Sequence, residues 1–151
     1  MTRRLALAAL ILLAPAAGQA ACTVSASGLA FGVYNPTFTT PTDSTATVTL
    51  SCSAASGTGA YAIALGTGGG GSYAGRRMSS GSSNLPYQLY LDAAHSQIWG
   101  DGTGGSSIVT GTDNIPQAGG ASTYQVYGRI VARQAVSPGA YTDVIVVTVT
   151  Y

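Results

Sequence analysis

Apolar and polar residues alternate with a period of two through much of the chain. Thr45-Ala46-Thr47-Val48-Thr49-Leu50-Ser51-Cys52 sets Val48, Leu50 and Cys52 on one side and hydroxyl side chains on the other. That is the pattern of a half-buried strand. Tyr61-Ala62-Ile63-Ala64-Leu65 alternates large and small in the same way. Further strands are predicted at Cys22–Ala26, continuing after Gly28 through Leu29–Tyr34, and at Tyr87–Asp92, Thr123–Val131 and Tyr141–Tyr151. Turn residues separate these runs at Asn35-Pro36, Pro41, Asp101-Gly102, Asn114-Ile115-Pro116 and Pro138-Gly139, where proline presets φ and glycine, asparagine and aspartate tolerate tight turns. A helical turn fits only Asp92–His95. Short strands at this spacing, with no internal repeat and no linker, predict one antiparallel β domain, a sandwich.

The first twenty residues do not follow that pattern. Met1-Thr2-Arg3-Arg4 is basic, Leu5 to Leu13 is unbroken apolar sequence, and small residues close the segment at Gly18 and Ala20. This is the three-part layout of a secretory signal peptide. The apolar run falls short of the roughly 20 residues that span a bilayer, and no later segment reads as a membrane span. Residues 1–20 are therefore expected to be a signal peptide cleaved after Ala20, with 21–151 as the mature domain. Gln19 stands where a lipid-attachment motif wants an aliphatic residue, which argues against lipidation at Cys22.

Composition narrows the class. The chain has 151 residues, 46% hydrophobic and 7% charged, with 21 glycines. Every base is arginine and every acid aspartate. Helical proteins normally place lysine and glutamate on their wet faces, and a nucleic-acid binder needs a basic surface, so both classes are excluded. Loss of Arg3 and Arg4 with the signal leaves four arginines against five aspartates. Two cysteines in an exported chain point to a Cys22–Cys52 disulfide. Two cysteines and one histidine do not supply a clustered metal-ligand set, and no cofactor is expected.

Catalytic patterns are weak. Gly66, Gly68 and Gly71 satisfy G-x-G-x-x-G, but Ser72-Tyr73-Ala74-Gly75 follows instead of a helix, so the dinucleotide reading fails and a flexible loop is expected. His95 is the only histidine and no G-x-S-x-G elbow occurs, leaving His95 as a surface turn residue. The five aspartates lie scattered as turn formers rather than as an acid–base pair. Trp99-Gly100-Asp101-Gly102-Thr103 holds the sole tryptophan, expected to anchor a turn. Arginines at 76, 77, 129 and 133 are expected to be solvated.

The last run, Val144-Ile145-Val146-Val147-Thr148-Val149-Thr150-Tyr151, carries no charge. An apolar edge strand left bare is an aggregation hazard, so this strand is either central in its sheet or covered by added strand from a partner. Alternation puts Ile145, Val147, Val149 and Tyr151 on one face.

An ordered set of motifs then becomes specific. It comprises Cys22-Thr23-Val24, Phe31-Gly32-Val33-Tyr34, Val48-Thr49-Leu50-Ser51-Cys52, Tyr61-Ala62-Ile63-Ala64-Leu65-Gly66, Arg77-Met78, Leu85-Pro86-Tyr87-Gln88-Leu89-Tyr90-Leu91-Asp92, Trp99-Gly100-Asp101-Gly102-Thr103, Tyr127-Gly128-Arg129 and Pro138-Gly139-Ala140-Tyr141-Thr142-Asp143. The set resembles the spore coat protein U (SCPU) domain family, which includes subunits of archaic chaperone–usher pili. The resemblance implies an all-β, incomplete immunoglobulin-like antiparallel β-sandwich that lacks its final strand. It implies a non-enzymatic, exported fibre or coat subunit assembled by donor-strand complementation. Its partners would be a periplasmic chaperone, an outer-membrane usher and neighbouring pilus subunits. By the same resemblance Ile145, Val147, Val149 and Tyr151 would border the groove that takes the donated strand. Polymerising subunits carry a donor segment ahead of the first cysteine, whereas here only Ala21 would precede Cys22. The chain is therefore expected to accept a strand without donating one, as a tip or accessory subunit. A rival expectation is a secreted adhesive module that contacts a surface through Tyr73 and Trp99.

Overall fold

In a computed structural model the described residues are 21–53, 60–111 and 120–150. The expected signal segment 1–20, the turn at Asn114-Ile115-Pro116 and Tyr151 lie outside them. Strands β1 (Ala21–Ala26), β2 (Thr42–Ser53), β3 (Tyr61–Leu65), β4 (Arg77–Ser80), β5 (Ser83–Pro86), β6 (Gln88–Tyr90), β7 (Val109–Gly111), β8 (Gly120–Ile130) and β9 (Val147–Thr150) follow in chain order. Among the described residues helical structure is confined to one 3-10 turn, Gly68–Gly70, and no helix is long and apolar enough to cross a membrane.

The period-two pattern decides the layers. β2 pairs antiparallel with β8 from Thr42↔Ile130 to Cys52↔Gly120, which sets Ala46, Val48 and Leu50 inward beside Val126 and Ile130. The hydroxyls of Thr45, Thr47 and Thr49 take the opposite face, as alternation requires. β1 and β6 extend this sheet in the order β1-β2-β8-β6, and a second sheet runs β7-β3-β9. Ile63 and Leu65 of β3 supply its buried face. β4 and β5 form a separate hairpin, tied to the chain before β9 by a Ser79–Thr142 bridge. The cysteines face one another across β1 and β2 in register and form the Cys22–Cys52 disulfide.

Three expectations require correction. Leu29–Tyr34 is not a strand; Gly28 ends the pairing with β2, and the chain instead folds Leu29 and Phe31 against the core. The glycine run is an ordered 3-10 turn capped by Gly71 in the left-handed region. The regular part of the last strand is only Val147–Thr150. Among the described residues that strand lies at the edge of its sheet, bonded to β3.

Candidate strand-acceptor cleft

β1 and β9 are the terminal strands of the two sheets, and they approach one another. The inner face beside them is incompletely covered. Val24, opposite the buried Leu50 in the β1–β2 register, remains 37% exposed. Tyr141, Asp143, Ile145, Val147 and Val149 are all half-buried, alternating with exposed neighbours. Their shared parity puts them on one face of the segment.

Between these rims lies an apolar cleft of about 330 Å³. Leu29 and Phe31 line one wall, Ile145 and Val147 the other, and Val48, Leu65, Leu89 and Val126 form its floor. A second cavity of about 620 Å³ shares Leu29, Phe31, Met78 and Tyr141 and continues toward Tyr34, Val136 and Pro138. The wall depends on Gly128, because a Cβ there would stand 2.8 Å from Leu29 Cδ1 and 2.9 Å from Phe31 Cζ. Phe31 also meets Tyr87 edge-on at 5.9 Å, which holds the wall against the core.

Asp143 is the one carboxylate in the lining, beside the hydroxyl residues Ser27, Thr47 and Thr142. Asp143 accepts hydrogen bonds from the Gly69 N–H at 2.8 Å, the Tyr87 hydroxyl at 2.8 Å and the Val144 N–H at 2.8 Å. Burial pushes the Tyr87 hydroxyl well above its ordinary range, and the bond to Asp143 pushes it further. Tyr87 therefore stays protonated as the donor.

Of the four expected groove residues, Ile145 and Val147 line the cleft. Val149 shares their face and packs against the core, while Tyr151 is outside the described residues. Sequence reasoning missed Leu29, Phe31, Met78 and Tyr87, which reach the cleft through tertiary folding. It also missed Tyr141 and Asp143, although stepping back by twos from Ile145 finds both.

The adhesive expectation loses its main residue. Trp99 is 0% exposed, and its Nε1–H donates to the Ile63 carbonyl at 2.9 Å, so it braces β3 and cannot touch a surface. Tyr73 is half-buried, with the Arg76 guanidinium 5.6 Å from its ring centroid. Arg76 is not solvated but 1% exposed, donating to the carbonyls of Leu65, Gly66 and Trp99 and to Gln88 Oε1. Desolvation lowers its pKa. His95 sits on its turn at φ 56°, but its side chain is 9% exposed and lies edge-on to Tyr90 and Tyr127. Arg129 pairs with Asp43 through two 2.7 Å bonds.

A chain of a crystal structure is similar in fold: the CsuC–CsuE chaperone–tip adhesion subunit pre-assembly complex from archaic chaperone–usher Csu pili of Acinetobacter baumannii. The TM-score is 0.60 at 20% sequence identity, over 88% of this chain and 40% of that one. The protein thus spans less than half the length of the solved chain it matches. At that identity the likeness bears on the fold, an immunoglobulin-like antiparallel sandwich. No curated protein matches the sequence. The family model of the Spore Coat Protein U domain matches residues 8–148, nearly the whole chain. With its ordered motifs, two antiparallel sheets and inter-strand disulfide, the chain belongs to the Spore Coat Protein U domain family.

Proposed function

We propose that this protein is an exported structural subunit of a chaperone–usher surface fibre or coat, and that its cleft accepts a β-strand from a partner. The observation that carries the reading is the apolar cleft between β1 and β9, each the end strand of its sheet. An incoming strand of alternating apolar residues would pair with the free edge beside β9, while its side chains fill the space above Val48, Leu65 and Val126. Backbone pairing supplies affinity and the pockets supply selectivity. A periplasmic chaperone would lend the first strand and a neighbouring subunit would replace it, with an outer-membrane usher passing the subunit to the surface. The signal segment 1–20 would direct export.

Family membership supports the structural role, and the fold likeness to a chain of a chaperone–tip adhesion subunit pre-assembly complex supports a fold of the pilus-subunit kind. The test is co-production in the periplasm with the chaperone of the same assembly system. Co-purification of a one-to-one complex that Ile145→Arg abolishes is the expected result. A stable monomer that never associates with the chaperone overturns it.

A further inference from the structure

The Gly66–Gly71 run carries phosphate-cradle spacing without the helix such a cradle needs, and the segment leading into β9 docks on it. We propose that this run is a receptor for Asp143, forming a two-point grip that holds the rim of the cleft ready for an incoming strand. The inference rests on the strand-acceptor reading above.

Two bonds bracket Ile145, the first aliphatic position of the final segment that lines the cleft. On one side the Gly69 N–H donates to Asp143 Oδ1 at 2.8 Å. On the other the Gly66 N–H donates to the Val146 carbonyl at 2.8 Å. Tyr87, itself lining the cleft, donates to Asp143 Oδ2 at 2.8 Å. Residues 143–146 form no regular strand. The Ser79–Thr142 pair fixes the chain before them, and the pairing of β9 with β3 starts at Val147.

Glycine is required at the contact. Gly68 has φ +61°, and a Cβ there would overlap the Asp143 carboxylate. At Gly66 a Cβ would make only ordinary contact, 3.4 Å from the Val146 carbonyl oxygen, so the requirement falls on Gly68. Without the grip, residues 143–146 would have to be ordered when the strand arrives, and that entropy would be charged against binding.

The full chain is titrated with a fluorescein-labelled synthetic peptide of alternating valine and threonine, read by fluorescence anisotropy. Asp143→Ala and Gly68→Ala are expected to weaken capture about tenfold, the order of one lost net hydrogen bond plus rim ordering. Asp143→Asn keeps an acceptor for Gly69 and a partner for Tyr87, and is expected to bind within about twofold of wild type. Asp92→Ala, which frees only the Ser96 and Gln97 amides and the Ser96 hydroxyl, is expected to leave capture unchanged. Wild-type affinity in Asp143→Ala overturns the grip, as does an Asp143→Asn variant as weak as Asp143→Ala. If Asp143→Ala does not fold, Gly68→Ala carries the test, because its Cβ displaces the Asp143 carboxylate from the glycine run, and unchanged affinity overturns the proposal. Failure of wild type to capture any peptide overturns the strand-acceptor reading itself, which the variants alone cannot do.

Discussion

Arg76 shows how a surface-type residue becomes structural. Its fork reaches carbonyls on β3, on the chain after it and at Trp99, and these acceptors would otherwise face a desolvated interior. Arg76→Met keeps the aliphatic stem and removes every donor, so a loss of roughly 3 kcal/mol is expected from urea unfolding. A loss below about 1 kcal/mol, the size of a solvated arginine's contribution, would count against this role. Asp43 is a residue-scale case with a pH signature. Hydrogen bonds from Arg129 hold its carboxyl below the ordinary 3.8. Its folded pKa is thus the lower one, so its stabilisation is present above about 3.8 and disappears as pH falls through the folded value. The pair is exposed and contributes only a few tenths of a kcal/mol. Asp43→Asn should give a shallower acid limb in urea midpoints measured against pH, and a limb parallel to wild type would contradict the pairing.

At the scale of elements, the disulfide and Gly128 both act on the walls of the cleft. Cys22–Cys52 closes a separation of 30 residues and ties β1, an edge strand with little cover, to β2. Reduction is expected to cost about 3–4 kcal/mol on the chain-entropy account. Thermal melts with and without a reducing agent measure it, and an unchanged midpoint would contradict that tether. Gly128 lies within β8, where a glycine normally weakens a strand. Here it makes room for Leu29 and Phe31. Gly128→Ala should displace that wall and destabilise the fold by about 1–3 kcal/mol, the usual range for overpacking. Loss of the Phe31–Tyr87 aromatic contact in NMR spectra is the accompanying sign.

At the scale of the whole molecule, the described residues form a sandwich with an apolar cleft between β1 and β9. A donor strand fused through a flexible linker meets the cleft as an intramolecular ligand. If its local concentration exceeds Kd about a thousandfold, apparent stability rises by about 4 kcal/mol. Calorimetry of the fusion against the plain chain measures the rise, and equal melting temperatures would argue that the cleft takes no strand. Export adds a prediction at this scale: the mass of the secreted protein should correspond to a chain starting at Ala21, since small residues at Gly18 and Ala20 precede that site.

Alternation along β2, β3 and β8 needed only the local residues, because a pleated strand with one buried face imposes period two wherever it lies. The pairing of two cysteines in an exported chain was legible for a similarly local reason: an oxidising compartment and an even count leave few options. The inward parity of Ile145 and Val147 could be read off the chain as well. What tertiary structure decided is everything that depends on residues distant in sequence meeting. Trp99 and Arg76 read as turn and surface residues until β3, β6 and the loop after β3 close over them. Leu29 and Phe31 carry strand-like alternation, yet a space above Gly128 draws them out of the sheet and into the cleft wall. The glycine run looked structureless because glycine's freedom is visible in sequence but its partner is not. Asp143, 74 residues from Gly69, supplies that partner, and no local pattern could have named it.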